Sequence, residues 1–426
     1  MTQQVYSDEI YHGLPDLSAS PNNLTAIITG TNGLSGSHML RRLCQNPERW
    51  SNIYCLSLHP PYGKHPDHVQ HTAVDLLQSP ETLAAILIAA NVQAEYVFYF
   101  SHVQPPPKPG MGLWSDAGEV TRLNSLIFQN LLGGLAGARI IPRRILLQAG
   151  AKYYGGHLGP MKVPQVETDP RVDLEPNFYY SQEDSLVEYC AGGSGERRTR
   201  WNIILPGPLV GAAPRSAMNV AFPLAVYASI CRKLNQSLEY PSDVVSWQMP
   251  LAMSSAGLNA HMEEWAVLTP GAADQRINQC DNSTFTWEGF WPCLAEWYGI
   301  SWKGPEEDVE WIEFEMPYRP RGYGPKGVLR WKFTFGSWSQ QPHVQQAWRA
   351  LTDEHGLIKR ELSDLSKEFA FLDGCVSLYT ALLPSMNKAR KLGWHGFVDT
   401  SDAFFQVFRE LSALKMVPPM PLLGQK

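Results

Sequence analysis

The stretch Thr25-Ala26-Ile27-Ile28-Thr29-Gly30-Thr31-Asn32-Gly33-Leu34-Ser35-Gly36 joins a short apolar run to a turn with three glycines. Residues 25–29 have the composition of a buried parallel strand, and residues 37–44 have the pattern of a helix. This is the local context of a dinucleotide-binding loop, in which glycines allow a tight turn and a close approach to pyrophosphate. We therefore take the whole turn from Gly30 to Gly36 as a candidate cofactor contact, with a purely structural turn as the alternative.

Further apolar runs alternate with helical patterns through the first half of the chain. Strands are predicted at 53–58, before Asp75, at 96–102 and at 144–148, and helices at 83–91 and 121–134. This alternation predicts an α/β protein with a doubly wound, Rossmann-like parallel sheet. Ligands of such sheets bind beyond the carboxyl ends of the strands, where Ser101 and Lys152 should lie and where Asp75 should approach an adenine.

The alternation ends near residue 213, which predicts a change of architecture. We expect an irregular lead-in at 1–22, a dinucleotide-binding domain at 23–213 whose sheet is completed by parts of 240–285, and a mainly helical substrate-binding cap at 214–426. The cap is rich in aromatic residues. They either line a pocket for a large apolar substrate or only pack the cap onto the sheet.

Composition excludes several classes of protein. The formal charge of −6 argues against a nucleic-acid partner, and we expect no metal site because four clustered histidines lie in a loop without fixed register. Seven dispersed cysteines without a CxxC pair, no apolar leader at residues 1–23 and no membrane-length run lead us to expect a cytoplasmic protein without a membrane span.

A second stretch, Asn177-Phe178-Tyr179-Tyr180-Ser181-Gln182-Glu183-Asp184, precedes a helix predicted from Asp184 to Ala191. A phenol held at a helix start can donate a proton to a carbonyl oxygen that gains negative charge. Simple packing of the tyrosine pair is the alternative.

The chain resembles the progesterone 5β-reductase/iridoid synthase-like family of atypical extended short-chain dehydrogenases/reductases. The spacing of the glycine turn is GxxGxxG, as in short-chain dehydrogenases. In ordinary members of that class a lysine follows the catalytic tyrosine by four residues, but here that position holds Glu183, so Lys152 would supply the ammonium. The matching segments, which cover nearly the whole chain, are 30–36, 147–155, 177–184, 205–211, 278–287, 393–399 and 415–418.

The resemblance implies NADPH-dependent reduction of an activated C=C bond, with Tyr179 and Lys152 as catalytic residues. It also implies that the glycine turn holds the pyrophosphate and that Pro206 to Val210 border the nicotinamide. One departure concerns the NADP phosphate, because Leu58-His59 stands where the family has arginine. Either His59, Lys64 or His65 compensates, or NADPH binds weakly, or no nicotinamide is used.

Three hypotheses follow. The first is an NADPH-dependent enone or enal reductase of a small, apolar, natural-product-like substrate. The second is a non-redox cyclase or isomerase, for example for a Diels-Alder-type cycloaddition, on the same scaffold with degenerate cofactor binding. The third is a catalytically silent binding protein. A homodimer is possible in each case.

Overall fold

The computed structural model describes residues 4–106, 115–192, 198–214, 216, 218–358 and 361–421. Its strands are β1 (Val5–Asp8), β2 (Tyr11–Pro15), β3 (Leu24–Thr29), β4 (Trp50–Ser57), β5 (Val69–Ala73), β6 (Tyr96–Tyr99), β7 (Arg144–Gln148), β8 (Arg200–Pro206), β9 (Leu209–Val210), β10 (Leu238–Glu239), β11 (Ser254–Ser255), β12 (Gln275–Gln279), β13 (Trp302–Lys303), β14 (Ile312–Glu315) and β15 (Val328–Trp331). Its α-helices are α1 (Leu34–Cys44), α2 (Pro80–Ala89), α3 (Ala117–Gly137), α4 (Phe178–Ala191), α5 (Ala221–Lys233), α6 (Val244–Gln248), α7 (Ala256–Leu268), α8 (Trp287–Tyr298), α9 (Phe335–Trp338), α10 (Pro342–His355), α11 (Ser366–Val376), α12 (Asn387–Lys391) and α13 (Thr400–Ala413).

Seven strands form one parallel sheet in the order β12-β8-β7-β6-β3-β4-β5. The chain runs from β3 outward through β4 and β5, then returns to place β6, β7, β8 and β12 on the other side. The strand order therefore reverses at β3, and the crevice beside the carboxyl end of β3 is the usual ligand position in such sheets. The predicted doubly wound parallel sheet is confirmed.

Helices cover both faces of the sheet because its central strands are apolar on both sides. One face packs against α1 and α7, with Met39 and Trp265 in the core between them, and the other face packs against α2, α3 and α4. Burial on both faces explains why residues 26–28 read as a continuous apolar run without alternation.

The sequence predicts an irregular lead-in at 1–22, but part of this segment is regular. Strands β1 and β2 form an antiparallel hairpin, and His12 exchanges two backbone hydrogen bonds of 2.9 Å with Phe397. This pairing joins residues far apart in the sequence, so local patterns gave no sign of it. β12, from within 240–285, returns to the large sheet. The division into domains at residue 213 stays a prediction.

The C-terminal part is mainly helical and has its own aromatic core. Trp287, Trp291 and Trp348 are at most 1% exposed and pack with Phe335 and Phe404. For these residues the packing interpretation applies, because their rings are enclosed. Among the described helices, none has the length and apolar character needed to cross a bilayer.

Candidate functional site

The glycine turn follows β3 directly and has a backbone that needs glycine. Gly30 has a φ of +66°, and a Cβ there would lie 2.9 Å from the carbonyl oxygen of Phe100. At Gly36 a Cβ would strike the carbonyl of Gly30, so its absence lets α1 pack on the turn. Gly33 precedes α1 as its N-cap, and Leu34 begins the helix. The first-turn amides of α1 therefore lie where a pyrophosphate would bind.

The turn is fastened to the end of β4. The hydroxyls of Thr31 and Ser57 lie 3.1 Å apart, and Nδ2 of Asn32 donates to the carbonyl oxygen of His59 at 2.8 Å. Ser57 Oγ donates to the same carbonyl at 2.8 Å. His59 thus meets the turn through its backbone, while the neighbouring Leu58 side chain is 63% exposed. Neither residue forms the bidentate cationic grip that the family expectation required.

A cavity of about 420 Å³ opens beside the same turn, between α1 and the segment 59–66. Thr31 and Asn32 form one wall. Two cationic side chains, Arg41 from α1 and Lys64 from the segment, also line it. Sequence reasoning considered Lys64 and His65 for this position but missed Arg41, which a helical repeat places one turn after Ser37.

The end of β6 is locked to the end of β3. Thr29 Oγ1 accepts hydrogen bonds from the backbone amides of Phe100 at 3.1 Å and Ser101 at 3.3 Å. The buried Asn124 of α3 then bonds both the amide (2.9 Å) and the carbonyl (2.8 Å) of Val103. Ser101 therefore lies on a backbone held at the carboxyl end of the sheet, and its contact with a cofactor stays a prediction.

Three other predicted contacts lie at strand ends. Asp75 follows β5, and its Oδ1 accepts a hydrogen bond from the amide of Leu77 at 2.9 Å. Its Oδ2 takes no part in this hydrogen bond. Pro206 is buried at the end of β8 beside β12, and Val210 is fully buried in β9. Ser35, in the first turn of α1, is also buried. In the parts of the chain that the structure describes, no group of three His, Cys, Asp or Glu side chains could hold a metal ion.

Lys152 lies in a short 3-10 turn, Ala151–Tyr154, directly after the end of β7. Its Nζ is 5.7 Å from the centre of the Phe178 ring. Burial lowers the pKa of Lys152 to about 8, against a weaker opposing effect of the Glu175 carboxylate. The ammonium is therefore charged at neutral pH but close to its titration range, which suits a group that acts on a developing negative charge.

Tyr179 lies in the first turn of α4, because the helix begins at Phe178 and not near Asp184 as predicted. Its hydroxyl oxygen is 3.0 Å from the position that a Cβ on Gly150 would occupy. Burial raises the pKa of the Tyr179 hydroxyl, so that group keeps its proton and remains a hydrogen-bond donor.

One side chain joins the two predicted catalytic elements. Asn177 Oδ1 accepts the backbone amide of Tyr179 at 3.1 Å, and Asn177 Nδ2 donates to the carbonyl oxygen of Lys152 at 3.3 Å. The helix cap thereby fixes the position of Tyr179 relative to Lys152. The sequence signal was available, since asparagine before a helical run is a common N-cap.

Two histidines flank Lys152, and neither was singled out from the sequence. Burial lowers the pKa of His157 to about 3 and also lowers the pKa of His102, and the Lys152 charge contributes in both cases. Both imidazoles are therefore neutral at neutral pH. Nδ1 of His157 is buried and has no hydrogen-bond partner among the described residues. The ring of His102 packs 5.3 Å from that of Phe178.

Glu183, four residues after Tyr179, is structural. Its carboxylate accepts the hydroxyl of Tyr153 at 2.8 Å and pairs with Arg171 at 2.9 Å and Arg276 at 3.5 Å. The residue is only 6% exposed. Position 183 therefore connects α4 to neighbouring elements, and the assignment of the ammonium to Lys152 stays a prediction.

The helical C-terminal part covers the loop that follows Lys152. The Tyr379 hydroxyl donates to the carbonyl oxygen of Gly156, and the Tyr318 amide donates to the carbonyl of Leu158 at 3.1 Å. Two parts of the chain more than 150 residues apart thus hold the loop that follows Lys152 in place.

The doubly wound sheet and the glycine turn between β3 and α1 are typical of enzymes of the short-chain dehydrogenase/reductase type. Within this class, residues 133–316 match the family described as the PRISE-like Rossmann-fold domain. That segment contains both Lys152 and Tyr179 but begins after the glycine turn. The family resemblance found in the sequence is confirmed.

Curated relatives match over most of the chain. The short chain dehydrogenase gsfE of Penicillium aethiopicum is 27% identical over 92% of this chain and 99% of its own length. The (S)-8-oxocitronellyl enol synthase CYC2 of Camptotheca acuminata is 27% identical over 92% of this chain and 93% of its own. These relatives confirm the expectation of an oxidoreductase-like enzyme.

Solved structures share the fold at much lower identity. Epimerase Mth375 of Methanothermobacter thermautotrophicus has a TM-score of 0.57 and 14% identity, covering 92% of this chain and 93% of its own. The Bordetella bronchiseptica enzyme WbmG, solved in complex with NAD, has a TM-score of 0.54 and 12% identity, covering 92% and 96%. These similarities concern the fold alone.

Proposed function

We propose that the protein is an NADPH-dependent reductase of activated C=C bonds, which performs 1,4-reduction of an enone or enal on a small, largely apolar, natural-product-like substrate. The observation that carries the proposal is the joint placement of Lys152 and Tyr179 by Asn177 at the carboxyl end of the sheet. The plant relatives are named as enol synthases, and an enolate is the product of hydride addition to an enone.

The residues of the turn fit a dinucleotide. A Cβ on Gly36 would overlap the carbonyl of Gly30, so the glycine lets the start of α1 lie against the turn, and Asn32 Oδ1 is buried with no partner within the described residues. The glycine turn would hold the pyrophosphate. Asp75 would approach the adenine, and Ser101, Pro206 and Val210 would border the nicotinamide.

The chain's own residues would act mainly on the carbonyl oxygen. NADPH, when bound, supplies the hydride that adds to the β-carbon. The electron pair of the C=C bond then moves toward the carbonyl oxygen, where the neutral Tyr179 hydroxyl donates a hydrogen bond and the Lys152 ammonium stabilises the negative charge. A proton from water at the α-carbon completes the reduction.

The surroundings favour a developing negative charge. His102 and His157 are neutral and place no second cation beside Lys152 to compete for the substrate oxygen. The contact between Tyr379 and Gly156 helps to exclude water, which strengthens each electrostatic interaction at the site. The cytoplasmic location and a homodimer stay predictions.

The proposal is tested by mixing the purified protein with NADPH and a panel of small enones and enals while NADPH absorbance is followed. We expect cofactor-dependent turnover of at least one compound and its loss in Tyr179→Phe and Lys152→Met. The absence of turnover on every compound, together with no NADPH binding by calorimetry, contradicts the proposal.

A non-redox cyclase remains the second candidate, and the exposed Leu58 at the expected arginine position favours it. The same hydroxyl and ammonium would polarise a carbonyl and lower the barrier of a cycloaddition without a nicotinamide. Conversion of a substrate by cofactor-free wild type supports the cyclase and rejects the reductase. A selective gain in NADPH affinity in Leu58→Arg or His59→Arg, with strict cofactor dependence, rejects the cyclase.

A further inference from the structure

The cavity between α1 and segment 59–66 lies where the adenosine end of a dinucleotide would reach. In doubly wound sheets the pyrophosphate binds at the glycine turn, and the adenosine ribose lies at the end of the next strand. Here that strand is β4, and the cavity is lined by Thr31 and Asn32 of the turn, by Lys64 of the segment after β4, and by α1 as far as Gln45. Its position therefore follows the path from the pyrophosphate toward the ribose.

The charge of the cavity wall is unusual for an NAD site. Arg41 and Lys64 line it, and none of its described lining residues is aspartate or glutamate. An acid at this place would bind the ribose hydroxyls of NAD, whereas cations there suit a phosphate on the ribose. The charges of this wall therefore suit a phosphate better than a ribose hydroxyl.

The two cations differ in what holds them. Lys64 forms no hydrogen bond or ion pair with any of the residues that the structure describes, so its ammonium can turn to a ligand. Arg41 Nη1 pairs with Glu410 Oε2 at 2.9 Å, and the guanidinium has further N–H groups to offer. His65 Nε2 lies 2.9 Å from the Tyr62 carbonyl oxygen, which fixes the segment beside Lys64.

We propose that Arg41 and Lys64 bind the 2′-phosphate of NADP(H) and replace the arginine that Leu58-His59 lacks. This inference rests on the proposed use of NADPH but assigns that specificity to residues on α1 and on the segment after β4. Glu410 weakens the grip, because its carboxylate competes with the phosphate for Arg41.

Calorimetry with adenosine 2′,5′-bisphosphate and adenosine 5′-monophosphate tests the assignment without any substrate. The two probes differ only in the 2′-phosphate. We expect wild type to prefer the bisphosphate by at least about tenfold, and Lys64→Met and Arg41→Met each to reduce that preference by about tenfold, as expected for one charged hydrogen-bonding partner. Affinity for the monophosphate should not change, and Glu410→Gln should tighten the bisphosphate alone.

Matched controls are Lys303→Met and Arg349→Met, which remove exposed, ion-paired cations elsewhere and should leave both affinities unchanged. Equal affinity of wild type for the two probes, or an undiminished preference in both cavity variants, overturns the inference. If the protein prefers the bisphosphate but reduces no enone, the role of Arg41 and Lys64 stands and the proposed function is rejected. If it reduces enones equally well with NADH and NADPH, only the role of Arg41 and Lys64 is rejected.

Discussion

The hydroxyl oxygen of Tyr179 lies 3.0 Å from the point where a Cβ on Gly150 would stand. Gly150 has an extended backbone, with a φ of 175°, that any residue can adopt, so the glycine is not required by local conformation. Its hydrogen instead leaves space for the phenol beside the turn that holds Lys152. The position of the Tyr179 hydroxyl thus depends on the absence of a side chain at position 150.

Gly150→Ala should therefore retain the fold but lower kcat for enone reduction by about ten- to a hundredfold, because a methyl group would displace the hydroxyl by a fraction of an ångström or more. Steady-state kinetics and thermal unfolding check this together. Gly271→Ala is the control, since a Cβ there meets nothing within 4 Å. Unchanged kcat in Gly150→Ala would show that the phenol position does not matter.

The pH dependence of kcat/KM should follow Lys152. With a pKa near 8, the ammonium is charged below this pH and neutral above it, so kcat/KM should fall as pH rises through about 8. Lys152→Met should lack this decrease. Negative charge from a bound dinucleotide would move the decrease to higher pH. A wild-type kcat/KM that does not change from pH 7 to 10 would show that the Lys152 ammonium takes no part in the reaction.

The same titration acts on stability with the opposite sign. The folded-state pKa of Lys152 lies below the ordinary value of 10.5, so the unfolded chain binds more protons between about pH 8 and 10.5. The contribution of this group to the free energy of unfolding should therefore increase over the range in which activity decreases. Urea titrations of wild type and Lys152→Met at pH 7.5 and 10 measure the difference.

Asn177→Ser should separate helix capping from catalytic positioning. Serine can still cap α4, but it is too short to reach the carbonyl of Lys152, so kcat should fall while stability drops by less than in Asn177→Ala. The alanine variant should lose about 1 kcal/mol of unfolding free energy and show the same fall in kcat. Ser79→Ala, which removes the cap of α2, is the control. Wild-type kcat in Asn177→Ser would contradict the positioning role.

Glu183→Lys places a lysine four residues after the tyrosine, as in ordinary short-chain dehydrogenases, and should fail to rescue Lys152→Met. The new ammonium would face Arg171 and Arg276 in a buried position that now holds their counter-charge. We expect a loss of about 3–5 kcal/mol in unfolding free energy. Glu188→Lys, on the exposed side of α4, should cost much less. Rescue of activity by Glu183→Lys would show that a lysine at position 183 can replace Lys152.

The sequence was most informative where structure is local. Apolar runs located the central strands, and β7 was predicted with both ends correct. The start of α4 was placed too late because aromatic residues at 178–180 do not favour a helix strongly, whereas the Asn177 cap begins the helix before them. The His12–Phe397 pairing could not be foreseen, since it joins distant parts of the chain.

In the candidate site, too, the features set by local sequence were predictable and those set by long-range packing were not. Lys152 and Tyr179 follow recognisable motifs, and the hydrogen bonds of Asn177 to the backbones of both residues show that the two segments adjoin. The neutral state of His157 depends on its burial in the folded chain, and the presence of Arg41 and Lys64 around one cavity depends on how the segment after β4 packs beside α1. Neither property is present in local residue patterns.

The proposed origin of the ammonium in the turn after β7 also bears on how such proteins diverge. When lysine and tyrosine share one helix, the helical repeat fixes their separation, so substitutions elsewhere cannot change it. Here the separation depends on how α4 docks against a neighbouring turn, through Asn177 and the bare Cα of Gly150. If the proposed roles of Lys152 and Tyr179 hold, small changes at those two positions alter the geometry around the substrate oxygen while both groups are retained.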